Sequence, residues 1–293
     1  MGIRRWSDPT FRIVCFVCAA VGGLLTLAFF VQLAAASGAA WRAFGLGFLV
    51  SSEWDPVAEV FGAWPAIAGT LATTGIALLI ALPLAFVSAL FIVDAPPMVS
   101  RVLGQAVDLL AAIPSIIYGM WGLFVICPLM QTAWERLGVE SNGFGVLTAG
   151  LILALMILPY ICAVMRDVLR MTPPVLREAA FGVGCTRWEV ARDVLLRFGA
   201  RGLLGGIFIG LGRALGETMA VLFVAGNVME APHSLVDGCT TIAATLANNF
   251  AEADGLERSA LFALGLILLI LSFGIQVAAQ AYLRFTGGKR GER

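Results

Sequence analysis

Long apolar stretches separated by short polar segments run through the whole chain. Six of these stretches reach the length of about 20 residues that an α-helix needs to cross a bilayer. Their predicted ranges are 13–36, 65–92, 104–130, 144–165, 202–227 and 259–282. Pro83 and Pro114 fall inside the second and third, where neighbouring helices can satisfy the freed backbone groups. Asp108 is expected near the start of the third helix, where the helix dipole favours a negative charge. The pattern predicts an all-α membrane protein with six transmembrane helices.

Composition and charge add an orientation to this prediction. The 293 residues are 60% hydrophobic and 13% charged, with a mean hydropathy of +0.93, which is more apolar than a soluble domain needs to be. Basic residues cluster before the first span, between the fourth and fifth, and after the sixth. They are Arg4, Arg5 and Arg12; Arg166, Arg170, Arg177, Arg187, Arg192, Arg197 and Arg201; and Arg284, Lys289, Arg290 and Arg293. The positive-inside rule therefore predicts that both termini and the loop 166–201 are cytoplasmic.

The fifth apolar run carries small and polar residues on one face of its predicted helix. At 100° per residue, this face holds Gly202, Gly206, Gly210, Arg213, Glu217, Ala220 and Asn227. The glycines are expected to serve helix packing, because small residues let another backbone approach closely. Charges at this depth normally face protein or water. Two interpretations stay open: Arg213 and Glu217, four residues apart, form a structural ion pair, or they line a transport pathway with Asn227.

No conventional catalytic or cofactor site can be assembled from the sequence. A GxxxxGK[ST] phosphate loop is absent, so ATP hydrolysis would have to come from another polypeptide. His233 is the single histidine, and no spacing of residues predicts a metal site or a catalytic triad. We therefore expect a chain that binds no cofactor, metal or nucleic acid and is not itself an enzyme.

The loop 166–201 is the one long polar segment between predicted spans on the basic side. Pro173-Pro174 breaks the chain after the fourth span, and residues 176–183 are predicted to form a short helix. Thr186 and Glu189 have the spacing of a capping box, which predicts a second helix ending near Arg197. Such an amphipathic pair either lies on the membrane surface or docks on a soluble partner.

One motif in this loop resembles the EAA-x3-G motif of ABC importer permeases. It reads Glu178-Ala179-Ala180-x-x-x-Gly184. In that family the motif forms a coupling helix that docks on the ATPase subunit, and it continues after nine residues as Ile-x-Leu-Pro. Residues 194–197 here read Val-Leu-Leu-Arg, so the closing proline is missing. The resemblance implies a type I ABC importer permease fold and assigns the four motif residues to ATPase coupling.

Four further stretches resemble phosphate-importer permeases. Residues 210–220, GLGRALGETMA, are similar to the fifth-helix signature of the PstC and PstA types. Residues 51–56, 111–119 and 225–227 are similar to PstC-type members in particular. The resemblance covers about residues 11–284.

This resemblance implies a function, a location and a set of partners. It implies a multi-pass chain of the bacterial inner (plasma) membrane that moves inorganic phosphate, with Arg213, Glu217 and Asn227 on the translocation path. The implied partners are a homologous PstA-type permease, a PstB-type ATPase dimer that binds ATP and Mg²⁺, an external PstS-type phosphate-binding protein, and membrane lipid.

The predicted organisation has three parts, and two other functions stay open. Residues 1–64 form the first helix and an outer loop, residues 65–284 form the permease core with the coupling loop 166–201, and residues 285–293 form a cytoplasmic tail. The same architecture suits another oxyanion, such as molybdate or sulfate. An ion-coupled secondary carrier is the alternative from a different class, and it predicts inverted repeats and broken helices around a midplane site.

Overall fold

A computed structural model describes residues 4–288, and the surroundings of the side chains for residues 10–281. Six of its helices are long and apolar enough to cross a membrane, and we call them the first to sixth spanning helices. They are Thr10–Ala36, Trp64–Asp94, Ser115–Arg136, Val146–Arg170, Arg187–Leu215 and Gly255–Ala281. The predicted all-α fold with six transmembrane helices is confirmed.

Shorter elements connect these helices. Three of them are named here as the interspan helix Pro97–Ala111, the loop helix Pro174–Gly182 and the short helix Met219–Leu222. The others are the helices Gly38–Phe44, Gly45–Leu49 and Ile242–Asn249, and the antiparallel strands Trp54–Asp55 and Val60–Phe61. Helix Gly255–Gly288 continues the sixth span.

The third spanning helix begins later than predicted. The range 104–130 was wrong because the chain leaves the helix at Ala112, and Pro114 precedes a new helix that begins at Ser115. Proline has no N–H to donate and keeps the preceding residue out of the helical region. Asp108 consequently lies near the end of the interspan helix, and not at the start of a spanning helix.

The fifth spanning helix is displaced from its predicted range 202–227. Residues predicted as a separate loop helix ending near Arg197 instead continue into the span, so one helix runs from Arg187 to Leu215. The predicted capping box at its start is confirmed: Glu189 N donates to Thr186 Oγ1 at 3.3 Å, and Thr186 N donates to Glu189 Oε2 at 2.7 Å.

The fourth spanning helix lies at the centre of the core and packs against the second and fifth spanning helices and the interspan helix. On the second helix, buried alanines at four-residue spacing allow close packing; they are Ala77, Ala81, Ala85 and Ala89. In the first spanning helix, by contrast, Leu33 is the single buried residue among those whose exposure is described. The core is therefore built from the later spans, with the first helix outside it.

The three glycines predicted for helix packing lie against the fourth spanning helix. A Cβ added at Gly202 would lie 2.6 Å from Val168 Cγ2, and one added at Gly210 would lie 2.5 Å from Ile161 Cδ1. At Gly206 the nearest side-chain atom of the fourth helix would be 3.2 Å away. Larger side chains at these positions would push the two helices apart.

Several predictions concern the chain ends. The cytoplasmic placement of both termini and the division at residues 64 and 65 stay predictions. The predicted tail 285–293 starts inside helix Gly255–Gly288. Lys289, Arg290 and Arg293 of the basic C-terminal cluster lie outside the described residues.

Candidate functional site

The fifth spanning helix is interrupted in the middle of the predicted polar stripe. It ends at Leu215, the exposed Gly216 follows, and residues 216–218 connect it to the short helix Met219–Leu222. The prediction that one helical face carries residues 202–227 was therefore wrong beyond Leu215. Asn227 lies in a loop with φ +53°, and its side chain donates to the Leu222 carbonyl at 3.3 Å.

Arg213 lies one turn before this interruption and stacks on an aromatic ring. Its Cζ atom is 4.2 Å from the ring centroid of Tyr160, on the fourth spanning helix. Such a cation–π contact contributes about 0.5–2 kcal/mol. The buried Nε of Arg213 has no hydrogen-bond partner among the described residues. A buried donor left unpaired costs about 1–3 kcal/mol, so this guanidinium is suited to receive an acceptor.

The ring that supports Arg213 is itself fixed to the interspan helix. The Tyr160 hydroxyl donates to the carbonyl oxygen of Ala111, the last residue of that helix. The Tyr118 hydroxyl donates to the neighbouring carbonyl of Leu110 at 3.0 Å. Carbonyls at a helix C-terminus often lack partners within the helix. The Leu110 carbonyl also accepts from Ile113 N at 3.3 Å, so the tyrosines differ: Tyr118 adds a second bond at Leu110, whereas Tyr160 supplies the donor to Ala111.

Glu217 does not pair with Arg213. Its side chain is buried, and Oε1 accepts a hydrogen bond from Ala220 N at 3.2 Å. This bond satisfies a free N–H in the first turn of the short helix, as a capping residue does. No ion pair joins Arg213 and Glu217 in the part of the chain that the structure describes. The interpretation of these residues as an i,i+4 structural pair was therefore wrong.

The loop helix places the predicted coupling residues at the surface. Glu178 and Ala179 are exposed and Ala180 is half-buried. Gly184 has φ +92°, a left-handed conformation that favours glycine and turns the chain toward the fifth spanning helix. Arg177 pairs with Asp94 at the end of the second spanning helix.

Large apolar side chains are exposed around this helix. They are Val175, Leu176, Phe181, Val183 and Trp188. Exposed apolar side chains next to a polar loop suit the membrane surface or a protein partner.

Two arginines of the fourth spanning helix bind the interspan helix. The buried Arg166 donates to Asp108 Oδ1 at 3.2 Å and to the Gly104 carbonyl at 3.3 Å. Arg170 donates to Ser100 Oγ at 2.9 Å. Sequence reasoning missed these partners and Tyr160. Arg166 and Asp108 gave a signal, since both are charges beside apolar runs, but a tyrosine inside an apolar run gave none.

The described residues contain no group of three or more His, Cys, Asp or Glu side chains placed to hold a metal ion. The interruption at Gly216 borders a cavity of about 620 Å³, which is also lined by Thr218, Met219, Ala247 and Leu268. Arg213 does not line this cavity.

Comparison with known proteins identifies relatives over most of the chain. Residues 81–284 match the family described as the binding-protein-dependent transport system inner membrane component. The chain is 44% identical over 285 residues to the phosphate transport system permease protein PstC of Haemophilus influenzae, covering 92% of this chain and 90% of that protein. It is 46% identical over 265 residues to the protein of the same name in Pasteurella multocida, covering 85% and 83%.

A solved structure supports the fold alone. A chain of the bacterial alginate ABC transporter, in complex with an alginate pentasaccharide-bound periplasmic protein, superposes with a TM-score of 0.64 at 16% identity. The match covers 94% of this chain and 96% of that one, so the type I ABC importer permease architecture extends over nearly the whole chain.

Proposed function

This chain belongs to the binding-protein-dependent transport system inner membrane components, as a permease of the PstC type, and we propose that it moves inorganic phosphate across the bacterial inner membrane. It is a multi-pass permease subunit and not an enzyme. With a homologous PstA-type permease it forms the translocation path. This family assignment favours ATP-driven import over the ion-coupled carrier.

Arg213 is the observation that carries the proposal. Phosphate is anionic at neutral pH, and a guanidinium presents a planar set of donors that matches its oxygens. Tyr160 covers one face of this guanidinium, the buried Nε is unpaired among the described residues, and Glu217 is occupied by the short helix. A cation without a carboxylate partner can bind the anion, and a single arginine can also release it.

The loop helix supports coupling to an ATPase. We place Glu178, Ala179, Ala180 and Gly184 in a contact with a PstB-type ATPase dimer, which binds the ATP and Mg²⁺ that this chain does not. The exposed apolar side chains around Glu178 suit burial against a protein partner. Arg177 and Asp94 would carry movement of the loop helix to the second spanning helix.

Delivery of phosphate by an external binding protein fits the charge of the outer loops. Exposed carboxylates of Glu53, Asp55 and Glu59 lie around the strand pair. Such a surface repels a free anion over long range, so direct capture from solution is unfavourable. A PstS-type protein that docks there would hand phosphate over without this barrier.

Uptake by intact cells tests the proposed substrate. Cells lacking this gene are expected to lose labelled-phosphate uptake at micromolar concentration, and the gene on a plasmid is expected to restore it. Excess unlabelled sulfate or molybdate should leave the restored uptake unchanged. Uptake that does not depend on the gene, or that sulfate or molybdate abolishes, would contradict phosphate as the substrate.

Reversing the charge of the loop helix should uncouple transport. We propose that Glu178 faces a basic residue of the ATPase. Glu178→Lys is then expected to lower phosphate uptake by roughly tenfold or more, because two positive charges at a protein contact disfavour docking. Glu178→Gln keeps the shape of the side chain and should lose less. The measurement is uptake together with ATP hydrolysis by the purified complex. Full coupled transport by Glu178→Lys would exclude Glu178 from the contact.

A further inference from the structure

We propose that Tyr160 is the positioning residue of Arg213, and that it fixes the arginine relative to the end of the interspan helix. This inference rests on the proposed phosphate path. Tyr160 does not itself bind phosphate in this scheme. It acts through the guanidinium that lies on its ring.

The mode of support leaves the arginine free to bind. The Arg213 Cζ atom lies over the Tyr160 ring, and the Tyr160 hydroxyl is bound to Ala111. A cation–π contact of this kind orients Arg213 and leaves N–H donors of the guanidinium available to a ligand. Arg166, two turns along the fourth spanning helix from Tyr160, shows the contrast. It donates to Asp108, Asp167 and a backbone carbonyl, and is held as a structural cation.

The Tyr160 ring is itself held in place by a hydrogen bond. Its hydroxyl donates to the Ala111 carbonyl, where the interspan helix ends. That helix is bound along the fourth spanning helix at two further places, by Arg166 at Asp108 and by Arg170 at Ser100. From Ser100 to Ala111 is about 16 Å at 1.5 Å per residue. Tyr160 thus ties the place of Arg213 to a helix that begins three residues after Asp94, the partner of Arg177 on the loop helix.

Tyr118 provides a matched control. Its hydroxyl donates to Leu110, the carbonyl next to the one that Tyr160 binds. Phenylalanine at either position removes one hydrogen bond to the same helix end, but only Tyr160 stacks on Arg213. A purely structural role of these bonds predicts a loss of stability in either variant and no change of KM confined to Tyr160→Phe.

The first test is the kinetics of phosphate uptake at matched membrane levels of each variant. Tyr160→Phe keeps the ring but frees it, and is expected to raise KM for phosphate about fivefold with little change in maximal rate. Tyr118→Phe should leave KM unchanged. Tyr160→Leu removes the ring and should lower the ratio of maximal rate to KM by at least about tenfold. In an Arg213→Lys background, Tyr160→Leu should lower the ratio of maximal rate to KM only a little further.

The second test reports on Arg213 without transport. Phenylglyoxal modifies arginine side chains, and digestion with mass spectrometry measures its reaction at Arg213 in the purified complex. The reaction should be faster in Tyr160→Leu and Tyr160→Phe than in the wild-type protein, and unchanged in Tyr118→Phe. Because no phosphate is present, this result stands even if the transported anion is a different one.

The proposal is overturned by any of three results. The first is equal KM values for Tyr160→Phe and Tyr118→Phe. The second is independent, multiplying losses for Tyr160→Leu and Arg213→Lys. The third is unchanged phenylglyoxal reactivity at Arg213 when the ring is removed. If Tyr160→Leu does not reach the membrane, the two phenylalanine variants alone decide the first result.

Discussion

Replacing Arg213 with alanine is expected to lower phosphate uptake by roughly a hundredfold, because it removes charge-assisted donors from the proposed path. The chain should still fold, since Arg213 forms no ion pair among the described residues and its ring contact is modest. Uptake of labelled phosphate measures the effect, with immunoblots of the membrane fraction reporting the amount of protein. Arg213→Lys should retain part of the activity, since lysine keeps the charge but not the planar donor set.

Arg258 supplies the matched control for this substitution. Its Cζ atom lies 5.5 Å from the ring centroid of Phe250, so it too is an arginine stacked on an aromatic ring. It is exposed and lies in the first turn of the sixth spanning helix, and the described contacts of its side chain include the Phe250 ring but no residue of the proposed path. Arg258→Ala should therefore leave uptake near the wild-type rate. Wild-type uptake by Arg213→Ala, or equal losses in both variants, would remove Arg213 from the path.

The largest effect on stability is expected from Gly69→Ala in the second spanning helix. A Cβ at Gly69 would lie 1.9 Å from the carbonyl oxygen of Thr240. This oxygen belongs to the backbone of a buried segment, which is fixed because Ile242 N donates to Thr70 Oγ1 at 2.9 Å. Overpacking of a core typically costs 1–3 kcal/mol, and a clash with fixed backbone should reach about the upper end of that range or beyond it.

Gly75 of the same helix is the control. A Cβ added at Gly75 would have no neighbouring heavy atom of the described residues within 4 Å. Gly75→Ala should be neutral or slightly stabilising, because alanine is the better helix former by about 0.5–1 kcal/mol. Thermal denaturation of the detergent-solubilised proteins measures both variants. Gly69→Ala should unfold several degrees lower than Gly75→Ala, and equal midpoints would show that the helix and the Thr240 segment can separate freely.

The number and order of the six spans followed from the sequence, because a long apolar run has few alternatives to a spanning helix in a membrane. The ends of the helices were harder to predict. The apolar run around Pro114 predicts one kinked helix, but in the structure Pro114 precedes a new helix. The apolar run around Gly216 predicts one continuous helix. In the structure the helix ends at Leu215, and the Glu217 carboxylate accepts a hydrogen bond from the first turn of the short helix that follows. A helix wheel cannot represent such a break.

The candidate site was predicted in its residues more than in its contacts. Arg213 and the loop 166–201 stood out because charges and prolines are conspicuous in an apolar chain. The partner of Arg213 did not, since Tyr160 comes from another span and its stacking depends on how two helices pack. The ion pair of Arg166 with Asp108 also joins segments 58 residues apart. Contacts of this kind are fixed by the tertiary packing and have no local sequence signal.

The central claim is that ATP-driven phosphate import passes Arg213 of this chain. The most direct measurement is phosphate accumulation in proteoliposomes that contain this permease, its partner permease and the ATPase. The ATPase faces the lumen, and the binding protein is added outside. We predict ATP-dependent accumulation that excess sulfate or molybdate does not reduce, and its loss when Arg213→Ala replaces the wild-type chain. Equal accumulation with Arg213→Ala, or accumulation of sulfate or molybdate instead of phosphate, would contradict the account.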